Sequence, residues 1–205
     1  GLPDESALYP VGTGRTYYVS ASSGNDSNDG LSEDSPLRTI NAVNALDLQP
    51  GDTVRFRGGE TFTGTLRFSG LAGTEDQPVT FCGYDDEAAK PHLVGQSYAV
   101  NFSSASNIVL RDLELEASGQ DYADGRVDGN VVRFVYGAGT AQYGNIYIVN
   151  NLVYSNSVQN MLFGISITLE ATRYRFFTGF CSTISFPGSP SAEGLTNASA
   201  SSGAC

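Results

Sequence analysis

The segment Thr16–Asp52, TYYVSASSGNDSNDGLSEDSPLRTINAVNALDLQPGD, decides the fold of this chain. It opens with a short β-type run at Thr16–Ser20, which is rich in tyrosine and β-branched residues. The polar loop Gly24–Gly30 follows, and its Asn, Asp and Gly residues favour turns. Together with the helix described next, we expect these elements to form a cap that closes one end of a stack of strands.

A short amphipathic helix is predicted to start at Ser35-Pro36, because proline suits the first turn of a helix. The apolar positions that follow recur at helical spacing on one face: Leu37, Ile40, Val43 and Leu46. The proline in Gln49–Asp52 cannot continue the helix and ends it. The apolar face is expected to cover the open end of a hydrophobic stack.

The loop Gly24–Gly30 has two interpretations. Asp26, Asn28 and Asp29 offer oxygen ligands ahead of a glycine, as calcium loops do, but the distal bidentate Glu of an EF-hand is missing. The same residue types also hydrogen-bond their own backbone in Asx turns. We favour the structural turn over a metal site.

After Asp52 the pattern changes to period two, which predicts short strands separated by bends. The predicted strands are Thr53–Arg57, Thr61–Thr65, Leu66–Phe68, Val79–Cys82, Lys90–Val94, Tyr98–Phe102, Asn107–Glu116, Val131–Tyr136, Asn145–Val149 and Leu152–Tyr154. Asn107–Glu116 recurs as Asn145–Tyr154, since both have Asn-Ile, a polar bend and a second strand. The two lie too far apart for one ordinary coil, so Gln120–Asn130 is predicted as an inserted loop. Stacked short strands with polar bends indicate a β-solenoid, because one coil cannot bury its inner face alone.

Four motifs now allow a resemblance to be stated: YYVSASSGNDSNDG, SPLRTINAVNAL, PGDTVRFRGGETFTGTL and PVTFCGYDDEAAKPHLVG. They resemble the N-terminal part of right-handed parallel β-helix proteins of the pectate-lyase-like superfamily, well over residues 16–95 and moderately over 105–155. The resemblance implies an all-β, right-handed parallel β-helix with a short N-terminal capping helix. It also implies a secreted or cell-surface protein that acts on polysaccharides as a lyase or glycoside hydrolase. The motifs belong to the cap and first coils, so they do not identify an active site.

The expected organisation is one domain over 1–205. It comprises a lead-in (1–15), the N-terminal cap (16–52), coils (53–170), a possible C-terminal cap (171–187) and a flexible tail (188–205). The aromatic segment 171–187 is predicted either to plug the last coil or to dock a second copy end to end, since an open coil exposes strand edges.

Charge and composition exclude several classes of protein. The net charge of −11 argues against nucleic-acid binding, which needs clustered Lys and Arg. No apolar run is long enough to span a membrane. A first residue of Gly rather than Met is expected of a processed form, and three N-x-S sequons weakly favour secretion: Asn25, Asn101 and Asn197. Cys82, Cys181 and Cys205 fit no zinc motif; one disulfide, such as Cys181–Cys205, with one free thiol remains open.

Polysaccharide lyases need a base and often Ca²⁺ held by Asp and Glu, whereas glycoside hydrolases need a pair of carboxyl groups. The single Lys, Lys90, is interpreted as structural and the single His, His92, as a strand-edge residue. The segment 121–128 instead concentrates three carboxylates, which would hold Ca²⁺ or supply an acid pair. For this segment we favour a solvated loop that bulges from the coil, with the Ca²⁺ site or acid pair as the alternative.

The candidate site is assigned from these residues. The catalytic candidates are Arg133, Asp128 and Arg111. The substrate-binding candidates are Tyr122, Arg126 and Asp112, and the Ca²⁺ candidates are Asp121, Asp124 and Asp128.

Two functions remain open at this point. The first is an extracellular polysaccharide-active β-helix enzyme, a lyase or a hydrolase, whose partner is a polysaccharide. The second is a non-catalytic structural or adhesive β-helix that forms homo-oligomers or binds a partner through its ends. The acidic surface would repel an acidic polysaccharide unless Ca²⁺ bridged the two.

Overall fold

A computed structural model describes residues 9–85, 89–118, 132–135, 145–155 and 165–167 of the chain. These residues form one helix and a series of short strands. The elements are β1 (Thr16–Val19), α1 (Ile40–Asn44), β2 (Thr53–Arg57), β3 (Thr61–Thr63), β4 (Leu66–Ser69), β5 (Val79–Tyr84), β6 (His92–Gly95), β7 (Val100–Ser103), β8 (Ile108–Arg111), β9 (Glu114–Ala117), β10 (Val132–Val135), β11 (Ile146–Val149), β12 (Leu152–Ser155) and β13 (Ile165–Ile167).

The strands form three parallel sheets, and the chain visits them in rotation. The first sheet has the order β1-β2-β5-β8-β11, the second β3-β6-β9-β12 and the third β4-β7-β10-β13. From β2 onward, each group of three consecutive strands therefore supplies one strand to every sheet. We call each group a triplet: β2–β4, β5–β7, β8–β10 and β11–β13. The prediction of an all-β chain with a short helix is confirmed.

One hydrophobic core is shared by the three sheets. Alternate residues point inward on strands such as β2, where Val54 and Phe56 are fully buried between half-buried neighbours. Core residues from all three sheets and from α1 belong to a single cluster. Because successive triplets pair in register, their inner side chains stack on one another, as Phe81 of β5 does beside Leu110 of β8.

The helix of the cap begins later than predicted. Residue Thr39 is its N-cap, with its side-chain oxygen accepting a hydrogen bond from the Ala42 N–H at 3.1 Å. Leu37, the first residue of the predicted helical stripe, is extended instead and bridges Val19 in parallel fashion. The prediction of a helix start at Ser35-Pro36 is therefore wrong, since the backbone of this segment adds to the edge of β1. Ile40 and Val43 are buried as expected, and α1 packs against β4.

The Asn/Asp loop of the cap is a set of turns. Asn25 accepts from the Ser27 N–H at 2.9 Å and Asp29 from the Leu31 N–H at 3.0 Å, which are Asx turns. The carboxylate of Asp26 accepts from the backbone of Arg38 and Thr39 at 2.8 and 2.9 Å. The structural interpretation of this loop is confirmed, because Asp26 holds the loop against the start of the helix.

A left-handed backbone conformation recurs where the chain passes from the first sheet to the second. Gly59, Asp85, Asp112 and Asn150 occupy this bend in the four triplets, with φ of 73°, 70°, 56° and 52°. Glycine, asparagine and aspartate adopt this conformation more readily than other residues. The two-residue polar bends seen in the sequence are thus sharp corners between sheets.

The internal repeat is confirmed by the strand register. Ile108 pairs with Ile146, and Glu114 pairs with Leu152. Asn107 accepts from the Asn145 N–H, 38 residues later, at 3.0 Å. The inserted loop predicted at Gln120–Asn130 lies outside the described residues.

Residues 9–15 form a strap across the first sheet. The Gly14 N–H donates to the Gly51 carbonyl at 3.0 Å, and a Cβ on Gly12 would lie 2.4 Å from that oxygen. At the other end, Tyr9 is buried against Val109 and Val149 on the outer face of the sheet. The predicted lead-in is therefore packed on the sheet over its described part.

The cap is joined to the first sheet by a buried carboxylate. Asp52 is only 2% exposed and accepts hydrogen bonds from the Arg15 N–H at 2.8 Å and the Gln49 N–H at 2.9 Å. The Arg15 guanidinium completes the site with an ion pair of 2.8 Å. This one side chain ties together the strap, the end of the cap and the start of β2.

Several predictions fall outside the described residues: the C-terminal cap (171–187), the tail (188–205), Cys181 and Cys205. Cys82 is described and is a buried free thiol. Among the described residues, no helix combines the length and the apolar character that a membrane crossing requires.

Candidate functional site

The predicted site residues are divided between two sheets and an undescribed segment. Arg111 is the last residue of β8 in the first sheet, and Asp112 follows it at the bend. Arg133 lies in β10 of the third sheet. The other candidates lie outside the described residues, in the segment that joins β9 to β10: Asp121, Tyr122, Asp124, Arg126 and Asp128.

Arg111 and Asp112 do lie together, in a cluster at the bend. Arg111 Nη1 donates to Asp112 Oδ2, and Asn150 Nδ2 donates to Asp112 Oδ1 at 2.6 Å. Lys90 Nζ donates to the Asn150 carbonyl at 2.7 Å and lies 3.7 Å from Asp112 Oδ1. Lys90 thus links bends of neighbouring triplets, which agrees with its predicted structural role.

The protonation of Arg111 limits its chemistry. Burial lowers its pKa, but the nearby groups of Cys82, Tyr9 and Asp112 outweigh burial and raise it. A guanidinium whose pKa is raised holds its proton, so it is a poor general base and a good fixed positive charge. Arg111 therefore suits an electrostatic role better than proton abstraction.

Arg133 belongs to a row of polar residues along the third sheet. The strand register aligns it with Asn101 of β7 and, one strand further, with Arg67 of β4. These positions alternate with the inward residues Leu66 and Val100, which are fully buried. Arg67 and Asn101 therefore lie on the outer face of the third sheet, and Arg133 takes the next position in their register, on a different sheet from Arg111 and Asp112. The segment 119–131, which carries the predicted carboxylates, leads directly into β10.

The second sheet presents an acid–base pair that the sequence analysis missed. His92 Nε2 lies 2.8 Å from Glu116 Oε2, and the two side chains are 23% and 9% exposed. In the strand register His92 faces Glu114, so two carboxylates and the single histidine share this outer face. The alternation in β6 and β9 was the available signal, but the pairing of the two strands was not visible in the sequence.

A cavity lies on the outer face of the first sheet. Its volume is about 540 Å³, and its lining residues are Glu33, Asp34, Arg55, Arg57, Tyr84 and Asp85. Arg57 Nε lies 3.8 Å from Asp85 Oδ2, and the rings of Tyr18 and Tyr84 meet edge to face at 5.4 Å. The signal in the sequence was the alternation of Thr53–Arg57, which places both arginines on one face.

The thiol next to this cavity is not an activated nucleophile. Burial raises the pKa of Cys82, and the positive charges of Arg111 and Arg55 only partly oppose it. Since the thiolate is the reactive form, this cysteine is inert in its folded position. Among the described residues, no three His, Cys, Asp or Glu side chains converge as a metal site.

Comparison with known proteins shows which class of protein this chain resembles. No family model matches the chain. The fold is similar to that of a solved carbohydrate-active enzyme, the GH136 lacto-N-biosidase from Eubacterium ramulus. That structure aligns with a TM-score of 0.56 and 26% identity, over 74% of this chain and 28% of its own.

A curated relative is the lacto-N-biosidase of Bifidobacterium longum subsp. longum, which is 41% identical over 108 residues. The match covers 46% of this chain and 7% of the relative, so the chain spans a small part of the length of that protein. A rhamnogalacturonan lyase also aligns, with a TM-score of 0.48 and 19% identity over 69% of this chain and 38% of its own. That likeness is too weak to bear on the activity.

Proposed function

We propose that this chain is part of a polysaccharide-active glycoside hydrolase that cleaves a lacto-N-bioside or a similar glycoside. The observation that carries the proposal is the 41% identity to a lacto-N-biosidase over 108 residues. The structural similarity to a second lacto-N-biosidase supports it. Because the chain spans only a small part of both relatives, the activity of the whole protein is part of the proposal.

We further propose that the three sheets are the faces of a right-handed parallel β-helix. The rotation of successive strands among three parallel sheets around one core supports this topology. Crossovers between parallel strands of one sheet are almost always right-handed. A secreted or cell-surface location belongs to the same proposal and rests on the resemblance of the cap.

Glycoside hydrolysis needs one carboxylic acid that protonates the leaving oxygen and one carboxylate that acts as base or nucleophile. We assign this pair to the segment 121–128, with Asp128 and Asp121 as the candidates. The segment enters the third sheet at β10, where Arg133 aligns with Asn101 in the outer row. In the proposed site this row would bind the sugar next to the acid pair, with Tyr122 and Arg126 as further contacts. Arg111 and Asp112 lie on another sheet.

As a second proposal, Asp121, Asp124 and Asp128 hold a bound Ca²⁺ instead of supplying the acid pair. Carboxylate oxygens closely spaced in a loop are suitable ligands for this ion. A carboxylate that holds Ca²⁺ is less available as a general acid, so the two roles compete for Asp128. An increase in the melting temperature on adding Ca²⁺, lost in Asp124→Asn, would support the metal role.

The decisive experiment is an activity assay on the 205-residue chain with an aryl β-lacto-N-bioside and a panel of glycans. We expect release of the disaccharide, and we expect Asp128→Asn and Asp121→Asn each to lower kcat by about 10²–10⁴-fold. Asp76→Asn is the matched control, since Asp76 is exposed in the loop between β4 and β5 and belongs to no proposed site. It should leave kcat unchanged.

Other outcomes would overturn the proposal in defined ways. Unsaturated products from pectate or alginate would assign a lyase. No product from any glycan, together with concentration-dependent oligomers in light scattering, would instead assign a non-catalytic β-helix that assembles through its ends. Full activity in both Asp variants would remove the segment 121–128 from the catalytic site.

A further inference from the structure

We propose that the cavity on the outer face of the first sheet is a binding site for a neutral saccharide unit. It is lined by residues of three separate segments: the cap loop, strand β2 and the end of β5. Its volume of about 540 Å³ is within the usual range of small-molecule sites. This site is separate from the one proposed on residues 121–128, and it does not depend on the catalytic assignment.

The walls of the cavity are held in place by the fold. The floor is the outer side of β2, where Arg55 and Arg57 are two residues apart and therefore point the same way. The cap loop is fixed beside β1, since the Tyr18 N–H donates to the Gly30 carbonyl at 2.7 Å. The third wall carries Tyr84, whose ring packs edge to face on the ring of Tyr18. Because the site is built on strands and an anchored loop, its geometry is preorganised for ligand binding.

The lining offers both kinds of hydrogen-bonding group that a sugar needs. The two guanidinium groups are donors only, and the carboxylates of Glu33, Asp34 and Asp85 are acceptors only. Within the described chain, the side chains of Glu33 and Asp34 form no hydrogen bond or ion pair. Adjacent sugar hydroxyls can donate to such carboxylates while accepting from Arg57. The ring of Tyr84 adds an apolar wall with a polar tip.

Other ligand classes fit this lining less well. An anion would meet three carboxylates against two arginines, in a chain with a net charge of −11. A metal ion needs converging ligands, and the carboxylates of the described residues do not form such a group. An apolar ligand would strip water from charged side chains without replacing their hydrogen bonds. A neutral, hydroxyl-rich molecule avoids all three penalties.

The site also lies on a different sheet from the row that contains Arg133. The cavity belongs to β2 and β5 of the first sheet, whereas Arg133 lies in β10 of the third. A glycan bound here would therefore contact a second face of the protein. Such a site would hold a polymeric substrate close to the enzyme without taking part in bond cleavage.

Isothermal titration of the full chain tests the proposal, with lacto-N-biose, lactose and cellobiose as neutral probes and digalacturonate as the anionic probe. We expect saturable binding of at least one neutral disaccharide. Arg57→Gln and Asp34→Asn should each weaken that binding by about tenfold, since each removes a charge-assisted hydrogen bond. Asp76→Asn, at an exposed position in the loop between β4 and β5 and outside both proposed sites, is the matched control for Asp34→Asn and should leave the affinity unchanged.

Asp128→Asn separates this site from the proposed catalytic site. Retained binding in Asp128→Asn together with loss in Arg57→Gln supports the cavity, whether or not the chain is a hydrolase. The reverse pattern, or binding of digalacturonate alone, overturns the proposal. Absence of binding by all the neutral probes overturns it as well. An unchanged melting temperature of the Arg57 and Asp34 variants ensures that lost binding is not lost folding.

Discussion

Several polar residues in this protein have structural roles that their residue types alone do not predict. Every buried side-chain nitrogen or oxygen among the described residues has a hydrogen-bond partner. The carboxylate of Asp26 illustrates the effect: burial opposes its ionisation, but hydrogen bonds from Thr39 and from the Arg38 N–H outweigh burial and lower its pKa. The ionised carboxylate of Asp26 is therefore explained by the hydrogen bonds that hold the cap loop rather than by catalysis.

Tyr84 in the wall of the cavity gives a prediction at this scale. Burial raises its pKa to about 12, although the positive charge of Arg57 lowers it. The unfolded chain releases this proton near pH 10. The contribution of Tyr84 to stability is thus complete below about pH 10 and is lost as the pH rises toward 12.

The measurement is an ultraviolet titration of phenolate absorbance in the native protein. We expect Tyr84→Phe to remove a component that ionises near pH 12 and to leave the earlier components in place. Loss of a component near pH 10 instead would contradict the assigned environment.

At the scale of elements, the bends and the asparagines next to them hold neighbouring triplets together. Asn107 has a φ of 53° and bonds in both directions along the stack. Its Nδ2 donates to the Gly73 carbonyl at 3.1 Å, and its Oδ1 accepts from the Asn145 N–H at 3.0 Å. One side chain therefore hydrogen-bonds a backbone group before it and one after it along the stack.

Two substitutions at Asn107 separate its roles. Asn107→Gly keeps the left-handed conformation but removes both hydrogen bonds, and we expect a loss of about 1–3 kcal/mol. Asn107→Ala adds the backbone cost, about 1–2 kcal/mol more. Urea denaturation of the unchanged protein and of the two variants measures the hydrogen-bond contribution and the backbone contribution separately. Equal stability of the Gly and Ala variants would show that the left-handed conformation is not retained.

Most elements could be predicted from the sequence because their signals are local. The alternation of Thr53–Arg57 gave the bounds of β2, and the Asn-Ile repeat gave the pairing of β8 with β11. The start of α1 could not be predicted in this way. Pro36 and Leu37 suit a first helical turn, but Leu37 pairs with Val19, and this long-range pairing prevails over local propensity.

At the scale of the whole molecule, an interior aromatic column joins the triplets. Phe102 is fully buried, with ring centroids 5.6 Å from Phe68, 5.4 Å from Phe81 and 5.5 Å from Phe134. These rings come from both the first and the third sheets. The column couples the sheets through packing rather than through backbone pairing.

Truncation of Phe102 tests this coupling. Phe102→Ala should cost about 3–5 kcal/mol, a large part of the stability of an ordinary domain. Phe102→Leu keeps most of the volume and should cost less. Phe68 is only partly buried, so Phe68→Leu is the milder control. Chemical denaturation provides the comparison, and equal losses for Phe102→Ala and Phe68→Leu would contradict a central role for Phe102.

The site was harder to predict than the fold because it depends on which strands become neighbours. The sequence placed Arg111 and Arg133 in one group, whereas they belong to different sheets. It also left Arg57 and Tyr84 unassigned, although they face each other across adjacent strands. Residue types and alternation identify the outward side chains, but the lengths of the intervening loops decide which of them meet.

The rotation of strands among three sheets also bears on how the chain acquires its structure. From β2 onward, each described strand pairs with strands of neighbouring triplets and never with the strand that follows it in sequence, whereas β1 of the cap pairs directly with β2. A sheet hydrogen bond therefore requires closure of a long loop, which raises the contact order and slows folding. During synthesis the cap emerges from the ribosome before the strands of the triplets, and folding can begin from the N-terminus. Once β1 and α1 are in place, every later triplet meets an edge already in the right register, so the cap acts as a template for assembly as well as an end closure.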